Sequence, residues 1–289
     1  MEKANEYGIL EIQEKLLNIL LYFSNFCNKH NLKFVLAGGT CLGAARNQGM
    51  IPWDDDIDVF MLREDYEKLL PLWKQYADES RFTCVRSDET INIHHAATEI
   101  KDNNTTFINR HSVDVDMHQG LMIDVIPLDN VSASAIGRVL QVANAMLFSC
   151  FNFQRLPEHK SKAVYYATKI ALTLIKSPKM RYKIWKHAEK RLIKLGKKSN
   201  GEVASFTESL KIMLERFPRE WFENPGYLQF EGHSMPVPAD YDTWLRVSYG
   251  EYMTPPPKEE RILRHDVVFW DMNNSYKKYK GVYYCVNKN

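Results

Sequence analysis

Three aspartates at alternate positions lead into an apolar stretch, and no other feature restricts the possible folds of this sequence as strongly. Asp54, Asp56 and Asp58 stand before and within the run IDVFM. Side chains two positions apart in an extended chain share a face, so Asp56 and Asp58 share one face of a predicted strand over residues 57–62. Asp54 continues the series if the chain is already extended there. Ionised carboxylates this close repel one another, so the fold has to neutralise them.

A fourth aspartate, Asp124, lies inside the apolar segment LMIDVIP at residues 121–127. Burying an ionised carboxylate in such a strand is costly. A bound divalent cation would relieve both this cost and the repulsion, and ligands that are all oxygen favour Mg²⁺ or Mn²⁺ over zinc. For the acidic triplet alone, a solvated loop or a helix N-terminus is the alternative. A calcium-binding EF-hand is excluded, because Val59 occupies the sixth loop position, where glycine is needed.

The segment Gly38-Gly39-Thr40 follows a predicted strand over residues 33–37 and opens a predicted helix over residues 40–47, with Thr40 as its N-cap. Free backbone N–H groups at such a helix start can receive a phosphate. A Gly-Gly pair is often only a turn, and its interest here comes from its position shortly before the acidic strand. A phosphate-binding turn beside metal-binding carboxylates is the minimum equipment for phosphoryl or nucleotidyl transfer.

The wider pattern predicts an α/β or α+β fold. Apolar residues recur at steps of three and four along residues 9–29, which predicts an N-terminal helix. Strands and helices then intersperse, with a helix over 64–76 and strands over 82–86, 96–101 and 121–126. Residues 132–217 are mostly helical in pattern. We predict a helix plus catalytic core (1–130), a helical region (131–220) and a C-terminal segment that completes the core or an acceptor site (221–289).

Composition narrows the class of protein. The 289 residues carry 38 Lys+Arg against 36 Asp+Glu, a net charge of +2, which disfavours nucleic acid as a partner. The first residues lack the apolar segment of a signal peptide, and no window approaches 18 uninterrupted apolar residues. The five cysteines are scattered without a CxxC pair, which suits a reducing compartment. These features predict a cytoplasmic globular protein.

Three segments resemble the LicD family of phosphocholine transferases, which includes the fukutin-related proteins. The first is GGTCLGAARNQGMIPWDDDIDVFMLREDY (38–66), which is long and specific. HQGLMIDVIPLD (118–129) is similar to the second core motif of the family, and MPVPADYDTWLRVSYGEYMTPPP (235–257) to its closing motif. His265, in RILRHDVVFWD, resembles a family histidine. The resemblance covers most of the chain, and the helical middle is its least diagnostic part.

The resemblance implies a nucleotidyltransferase-like mixed sheet with a helical insertion or second subdomain. It also implies metal-dependent transfer of phosphocholine, or a related phospho-alcohol, from a CDP-activated donor such as CDP-choline. The acceptor would be a hydroxyl of a cell-surface glycan or of its lipid-linked precursor. A nucleotidyltransferase that uses an NTP remains an alternative, because the same carboxylates serve both reactions. A catalytically inactive homologue that binds a glycan or nucleotide is another.

The resemblance also assigns roles to residues of this sequence. The catalytic acids would be Asp56, Asp58 and Asp124, and the Mg²⁺ or Mn²⁺ ligands Asp54, Asp56, Asp58 and Asp124. The substrate-binding residues would be Gly38, Gly39, Thr40, Arg46, Lys101 and His118. Arg46 suits a phosphate, since its planar fork binds two oxygens, although a surface salt bridge is the alternative. For Lys101 the alternative is a solvated strand end.

A basic segment covers residues 176–198, with ten Lys/Arg and the single acid Glu189. Apolar residues interleave with the cations, which predicts a basic amphipathic helix. Such a helix either packs on the core with a solvated cationic face, or contacts anionic lipid head groups at the inner face of a membrane, or contacts a phosphate-bearing glycan acceptor.

Overall fold

The computed structural model describes residues 4–156, 162–263 and 265–286. Within those residues the α-helices are α1 (Leu10–Lys29), α2 (Gly38–Asn47), α3 (Arg63–Tyr76), α4 (Ala135–Phe153), α5 (Lys162–Leu174), α6 (Pro178–Leu195), α7 (Leu210–Leu214), α8 (Glu220–Glu223) and α9 (Tyr241–Tyr249). The strands are β1 (Val35–Leu36), β2 (Asp58–Leu62), β3 (Phe82–Val85), β4 (Thr98–Asp102), β5 (Thr106–Asn109), β6 (Met122–Ser132), β7 (Ser199–Ala204), β8 (Phe217–Pro218), β9 (Gly226–Phe230), β10 (His233–Val237) and β11 (Val267–Asp271). This mixture of helices and strands confirms the predicted α/β class.

The chain divides into two compact units. The first comprises Met1–Val85, Glu99–Val125 and Trp221–Asn289, and the second comprises Arg86–Thr98 and Ile126–Glu220. Our three-part division of the sequence at residues 130 and 220 stays a prediction.

The first unit is built on a sheet with the strand order β1-β2-β6-β4-β3, to which β6 contributes its residues up to Val125. β1 pairs antiparallel with β2, and β3 pairs antiparallel with β4. Helix α1 confirms the predicted N-terminal helix, and its buried stripe recurs at steps of three and four: Ile12, Leu16, Ile19, Phe23 and Phe26. Phe26 packs on Trp73 of α3, with ring centroids 4.6 Å apart. This contact holds α1 against α3, the helix that directly follows β2 and its first residue, Asp58.

Two local features differ from the sequence expectations. Helix α2 begins at Gly38 with Ala37 in the N-cap position, so the prediction of Thr40 as the cap is wrong. The Thr40 hydroxyl instead accepts a hydrogen bond from the N–H of Asp58 at 2.9 Å, which ties α2 to the start of β2. Strand β5 was not predicted, because its four residues pair with β11 at the far end of the chain and carry no alternating pattern of their own.

In the second unit the predicted helical region is confirmed by α4 to α7, and the remainder of β6 pairs with β7, which in turn pairs with β8. Helix α6 buries Trp185, Ala188 and Leu192, and Trp185 meets Phe148 of α4 edge-on with ring centroids 5.6 Å apart. The cationic side of α6, including Lys183 and Lys190, is exposed. This matches the predicted helix that packs on the core with a solvated cationic face.

Across the described ranges, we find no helix that combines the length and the apolar character needed to cross a membrane.

Candidate active site

Three of the predicted aspartates surround one cavity. It has a volume of about 540 Å³, lies in the first unit, and is lined by Asp54, Asp56, Asp58, Gly39 and Arg46. A cavity of this size can hold a ligand as large as a nucleotide. The other lining residues come from α2, from the acidic segment (residues 52–58) with its neighbour Ile51, and from the C-terminal motif: Leu42, Ile51, Trp53, Tyr249, Glu251, Tyr252, Thr254 and Pro256. The other predicted site residues are not part of this lining: Gly38, Thr40, Lys101, His118 and Asp124.

The carboxylates of Asp54 and Asp58 lie against the first residues of α2. Gly38 has a φ of +51°, and a Cβ atom there would lie 2.8 Å from Oδ2 of Asp58. On Gly39, a Cβ atom would lie 2.5 Å from Oδ2 of Asp54. Glycine is therefore required for this close approach, and the positive end of the helix stabilises the two carboxylates. The predicted binding of phosphate by Gly38, Gly39 and Thr40 stays a prediction.

The acidic segment is anchored by two residues that the sequence analysis missed. The side-chain Nε2 of Gln13, on α1, donates to the carbonyl oxygens of Ile51 at 2.9 Å and Asp54 at 2.8 Å. The carboxylate of Glu231 accepts from the N–H of Met50 at 2.8 Å. Gln13 is buried beside the apolar stripe of α1, and a polar residue at that position is the only signal that sequence offers.

Two guanidinium groups lie at Trp53. The Cζ atoms of Arg46 and Arg261 are 5.9 and 5.0 Å from the centroid of its ring, which is cation–π range. Arg46 also donates from Nη1 to the carbonyl oxygen of Tyr252 at 3.0 Å, so the C-terminal motif helps to fix it. Burial lowers the pKa of Arg46 and the charge of Arg261 lowers it further, whereas Asp54 raises it. Arg46 is half-buried and places a cation in the same cavity as the three aspartates.

The partly exposed His265 pairs with the buried Asp55. Its Nδ1 is 3.1 Å from Oδ1 of Asp55, whose side chain is 1% exposed. Burial lowers the pKa of His265, but the hydrogen bond with Asp55 and the charges of Asp56, Asp55 and Asp124 outweigh it and raise the pKa to about 9. His265 is therefore positively charged at neutral pH and lies among three carboxylates. The sequence identified His265 only through its motif, and Asp55 was missed.

Asp124 lies on β6 beside β2, and its N–H donates to the carbonyl oxygen of Ile57 at 2.9 Å. Carboxylate oxygens of Asp124 and Glu99 lie within 4.8 Å of each other. Glu99 Oε2 is in turn 3.1 Å from Nζ of Lys101, and both side chains are buried. Lys101 is thus half of a buried ion pair, and the alternative of a solvated strand end is wrong. Glu99 was missed, although it shares a face of β4 with Lys101 two positions later.

His118 is held by two hydrogen bonds within the protein. Its Nε2 is 2.6 Å from Oδ1 of Asn103, and its Nδ1 accepts from the N–H of Gly120 at 3.0 Å. Burial lowers the pKa of His118 to about 2, with further contributions from the charges of Lys101 and Lys277. The ring is therefore neutral and fixed in orientation. Its predicted contact with substrate stays a prediction.

The donor set fits a hard divalent cation. Asp54, Asp56 and Asp58 offer only oxygen atoms, and all three line the same partly buried cavity. Asp55 and Asp124 add two more carboxylates near His265. Carboxylates gathered in a partly buried space repel one another, and a bound Mg²⁺ or Mn²⁺ would relieve that repulsion. Whether such an ion binds stays a prediction.

Comparison with known proteins finds similarity to one family. Residues 31–130 match the family model described as LicD/FKTN/FKRP, nucleotidyltransferase domain. The chain is also 28% identical over 256 residues to the lipopolysaccharide cholinephosphotransferase LicD of Haemophilus influenzae, and the match covers 88% of this chain and 95% of that protein. Residues 31–130 of this chain therefore hold a domain of the LicD family.

Shorter matches fall on two uncharacterized rickettsial proteins. One, from Rickettsia typhi, is 46% identical over 50 residues, which is 16% of each chain. The other, from Rickettsia prowazekii, is 44% identical over 50 residues, or 16% of this chain and 19% of that protein. The LicD-family segment, residues 31–130, holds every site residue that the sequence analysis assigned. Tyr252, Arg261 and His265 lie outside it, so the C-terminal part of the first unit adds to the site.

Proposed function

We propose that this chain transfers phosphocholine, or a related phospho-alcohol, from a CDP-activated donor to a hydroxyl of a glycan or of its lipid-linked precursor. The observation that carries the proposal is the convergence of Asp54, Asp56, Asp58 and Arg46 on one cavity large enough for a nucleotide donor. The name of the similar LicD protein supports choline phosphate as the transferred group. The choice of CDP-choline as donor follows from the family resemblance.

The proposed reaction replaces the phosphoanhydride bond of the donor with a phosphoester bond to the acceptor. The acceptor hydroxyl oxygen forms a bond to the phosphorus of the choline phosphate. The bond from that phosphorus to the oxygen bridging to CMP breaks, and CMP leaves with the bonding electron pair. The hydroxyl proton passes to a carboxylate, for which Asp124 is our candidate. Atoms and charge balance without any oxidant or reductant.

The residues of this chain supply positioning and charge. Asp54, Asp56 and Asp58 would hold a divalent cation, which when bound neutralises phosphate charge. The Arg46 guanidinium, fixed by its hydrogen bond to Tyr252, would bind donor phosphate oxygens through its planar fork. Asp55 holds His265, whose positive charge offsets the neighbouring carboxylates. Trp53 and its two arginines form a wall of the cavity on which the donor can rest.

The test is ³¹P NMR of the purified protein with Mg²⁺ and CDP-choline. We expect CMP and phosphocholine to appear slowly when water is the only acceptor, and a phosphodiester signal to replace phosphocholine when a glycan acceptor is present. Asp58→Asn should release no CMP. An unchanged CDP-choline signal with every acceptor, together with pyrophosphate released from CTP or ATP, would instead establish a nucleotidyltransferase.

Metal dependence gives a separate prediction. Chelation with EDTA should abolish CMP release, and Mg²⁺ or Mn²⁺ should restore it. In the absence of donor, Mn²⁺ should raise the unfolding temperature of the wild-type protein in a thermal-shift assay, because it binds the folded carboxylates. The same ion should leave the unfolding temperature of Asp58→Asn nearly unchanged. An equal shift for both proteins would place the cation elsewhere.

A further inference from the structure

Helix α4, in the second unit, exposes an apolar face. Its exposed apolar residues recur at steps of one, three and four, which puts them on one side of the helix. Ile136 and Val139 are 76% and 69% exposed, more than most apolar side chains of the molecule. We call this side the α4 apolar face: Ile136, Val139, Leu140, Ala143, Met146 and Leu147.

The opposite side of α4 buries polar residues. Gln141 is 0% exposed, and Asn144 and Asn152 are also buried. The Gln141 side chain is well paired, since Oε1 accepts from the N–H of Ser132 at 2.8 Å and Nε2 donates to the carbonyl oxygen of Asn130 at 2.8 Å. The same side also buries Ala145, Phe148 and Phe151, so α4 carries apolar residues on both its buried and its exposed side. Helix α4 packs within the second unit through this buried side and does not need the α4 apolar face for that packing. An exposed apolar surface of this kind marks an interaction site.

The exposed apolar surface continues onto α7. Leu214 is 60% exposed, and with Val139 it lines a groove of about 430 Å³. Arg138 and Arg216 also line this groove, so cationic side chains border the apolar surface. Three acidic residues lie near α7. Glu202 pairs with Arg216 at 3.2 Å, Glu215 lies 3.9 Å from Lys211, and the third is Glu208.

The three long helices of this unit carry a strong positive charge. From residue 130 to residue 188, the sequence includes one acidic residue, Glu158, and ten arginines or lysines. The ten are Arg138, Arg155, Lys160, Lys162, Lys169, Lys176, Lys179, Arg181, Lys183 and Lys186. Such a surplus complements an anionic surface.

We propose that the α4 apolar face, together with Leu214, lies in the interfacial layer of an anionic phospholipid bilayer. Apolar side chains and basic residues act together in such binding, since neither signal alone gives stable attachment. The proposal places the apolar contact with the membrane on α4. The sequence analysis had instead offered residues 176–198 as the segment that contacts lipid. Helix α6 buries Trp185, Ala188 and Leu192, so its main contribution to such a contact would be its exposed cations. The proposal rests on the second unit alone and is independent of the reaction assigned to the first.

Vesicle flotation tests it with the full chain. We expect the protein to float with vesicles of phosphatidylcholine and phosphatidylglycerol (3:1), to bind pure phosphatidylcholine more weakly, and to lose affinity as NaCl rises. Ile136→Ser with Val139→Ser should weaken binding roughly tenfold or more, because two exposed apolar side chains lose their contact with lipid. Leu214→Ser should weaken it less. A matched control, Tyr227→Ser with Val282→Ser, changes apolar residues of similar exposure elsewhere and should bind like wild type.

Three results would overturn the proposal. The first is a failure of the wild-type protein to float with anionic vesicles, and the second is equal binding by wild type and the Ile136/Val139 variant. The third is sedimentation of the wild type as a dimer that this variant dissociates, which would make the face a contact between two copies of the chain. None of these measurements depends on catalysis, so they test the membrane proposal independently of the proposed reaction.

Discussion

Asp58→Asn and Asp56→Asn should each lower turnover by about 1,000-fold or more, while the unfolding temperature stays the same or rises. Each substitution removes a carboxylate from the cavity that Asp54 and Arg46 also line. Loss of charge stabilisation at a transferred phosphate is worth several kcal/mol, and about 4 kcal/mol corresponds to a factor of about 1,000. Without a bound cation, the lost carboxylate also relieves repulsion, which stabilises the fold. Initial rates of CMP release and thermal unfolding without added metal measure the two effects.

Asp116→Asn is the matched control. Asp116 is an exposed aspartate whose carboxylate pairs with Nζ of Lys280 at 2.6 Å. An exposed ion pair contributes little to stability, so both turnover and unfolding temperature should stay close to wild type. A fully active Asp58→Asn protein, or one that unfolds well below wild type, would remove the assignment of Asp58 to a cation site.

The sequence was most informative where chemistry and local pattern coincide. Asp54, Asp56 and Asp58 alternate just before and at the start of β2, and the periodic rule predicted a shared face for Asp56 and Asp58. The structure shows all three at one cavity, with glycines directly against two of them. Local spacing therefore suffices to find them. Helix α1 was equally accessible, since its buried stripe repeats along its whole length.

Residues that support the site from a distance could not be predicted in this way. Gln13 reaches the carbonyl oxygen of Asp54 from α1, and Glu231 reaches Met50 across 181 positions of sequence. His265 pairs with Asp55 across 210 positions. Such contacts depend on how separate elements pack, and one sequence carries no periodic signal for them. The same limit explains why Thr40 was expected as a helix cap: the N–H of Asp58, its actual partner, lies on another element.

Gly43→Ala should be strongly destabilising, although alanine normally stabilises a helix relative to glycine by about 1 kcal/mol. A Cβ atom on Gly43 would lie 2.5 Å from the carbonyl oxygen of Gly49 and 3.3 Å from the N–H nitrogen of Ile51. These are backbone atoms, so the clash cannot be relieved by turning a side chain. Overpacking of this kind costs about 1–3 kcal/mol, which predicts a fall in the unfolding temperature of roughly 3–10 °C.

The same substitution should also lower activity, because residues 49–51 lead directly into the acidic segment. The carbonyl oxygen of Ile51 accepts from both Gln13 and the N–H of Asp54, so a shift there is passed to the carboxylates of the cavity. A displacement of about 1 Å in a catalytic constellation can cost roughly 100-fold in rate. Gly226→Ala is the control, since the nearest atom to a Cβ there is 3.8 Å away and the strand can accept it. If Gly43→Ala unfolded at or above the wild-type temperature, the close packing of α2 on residues 49–51 would be wrong, and with it our account of how the acidic segment is held.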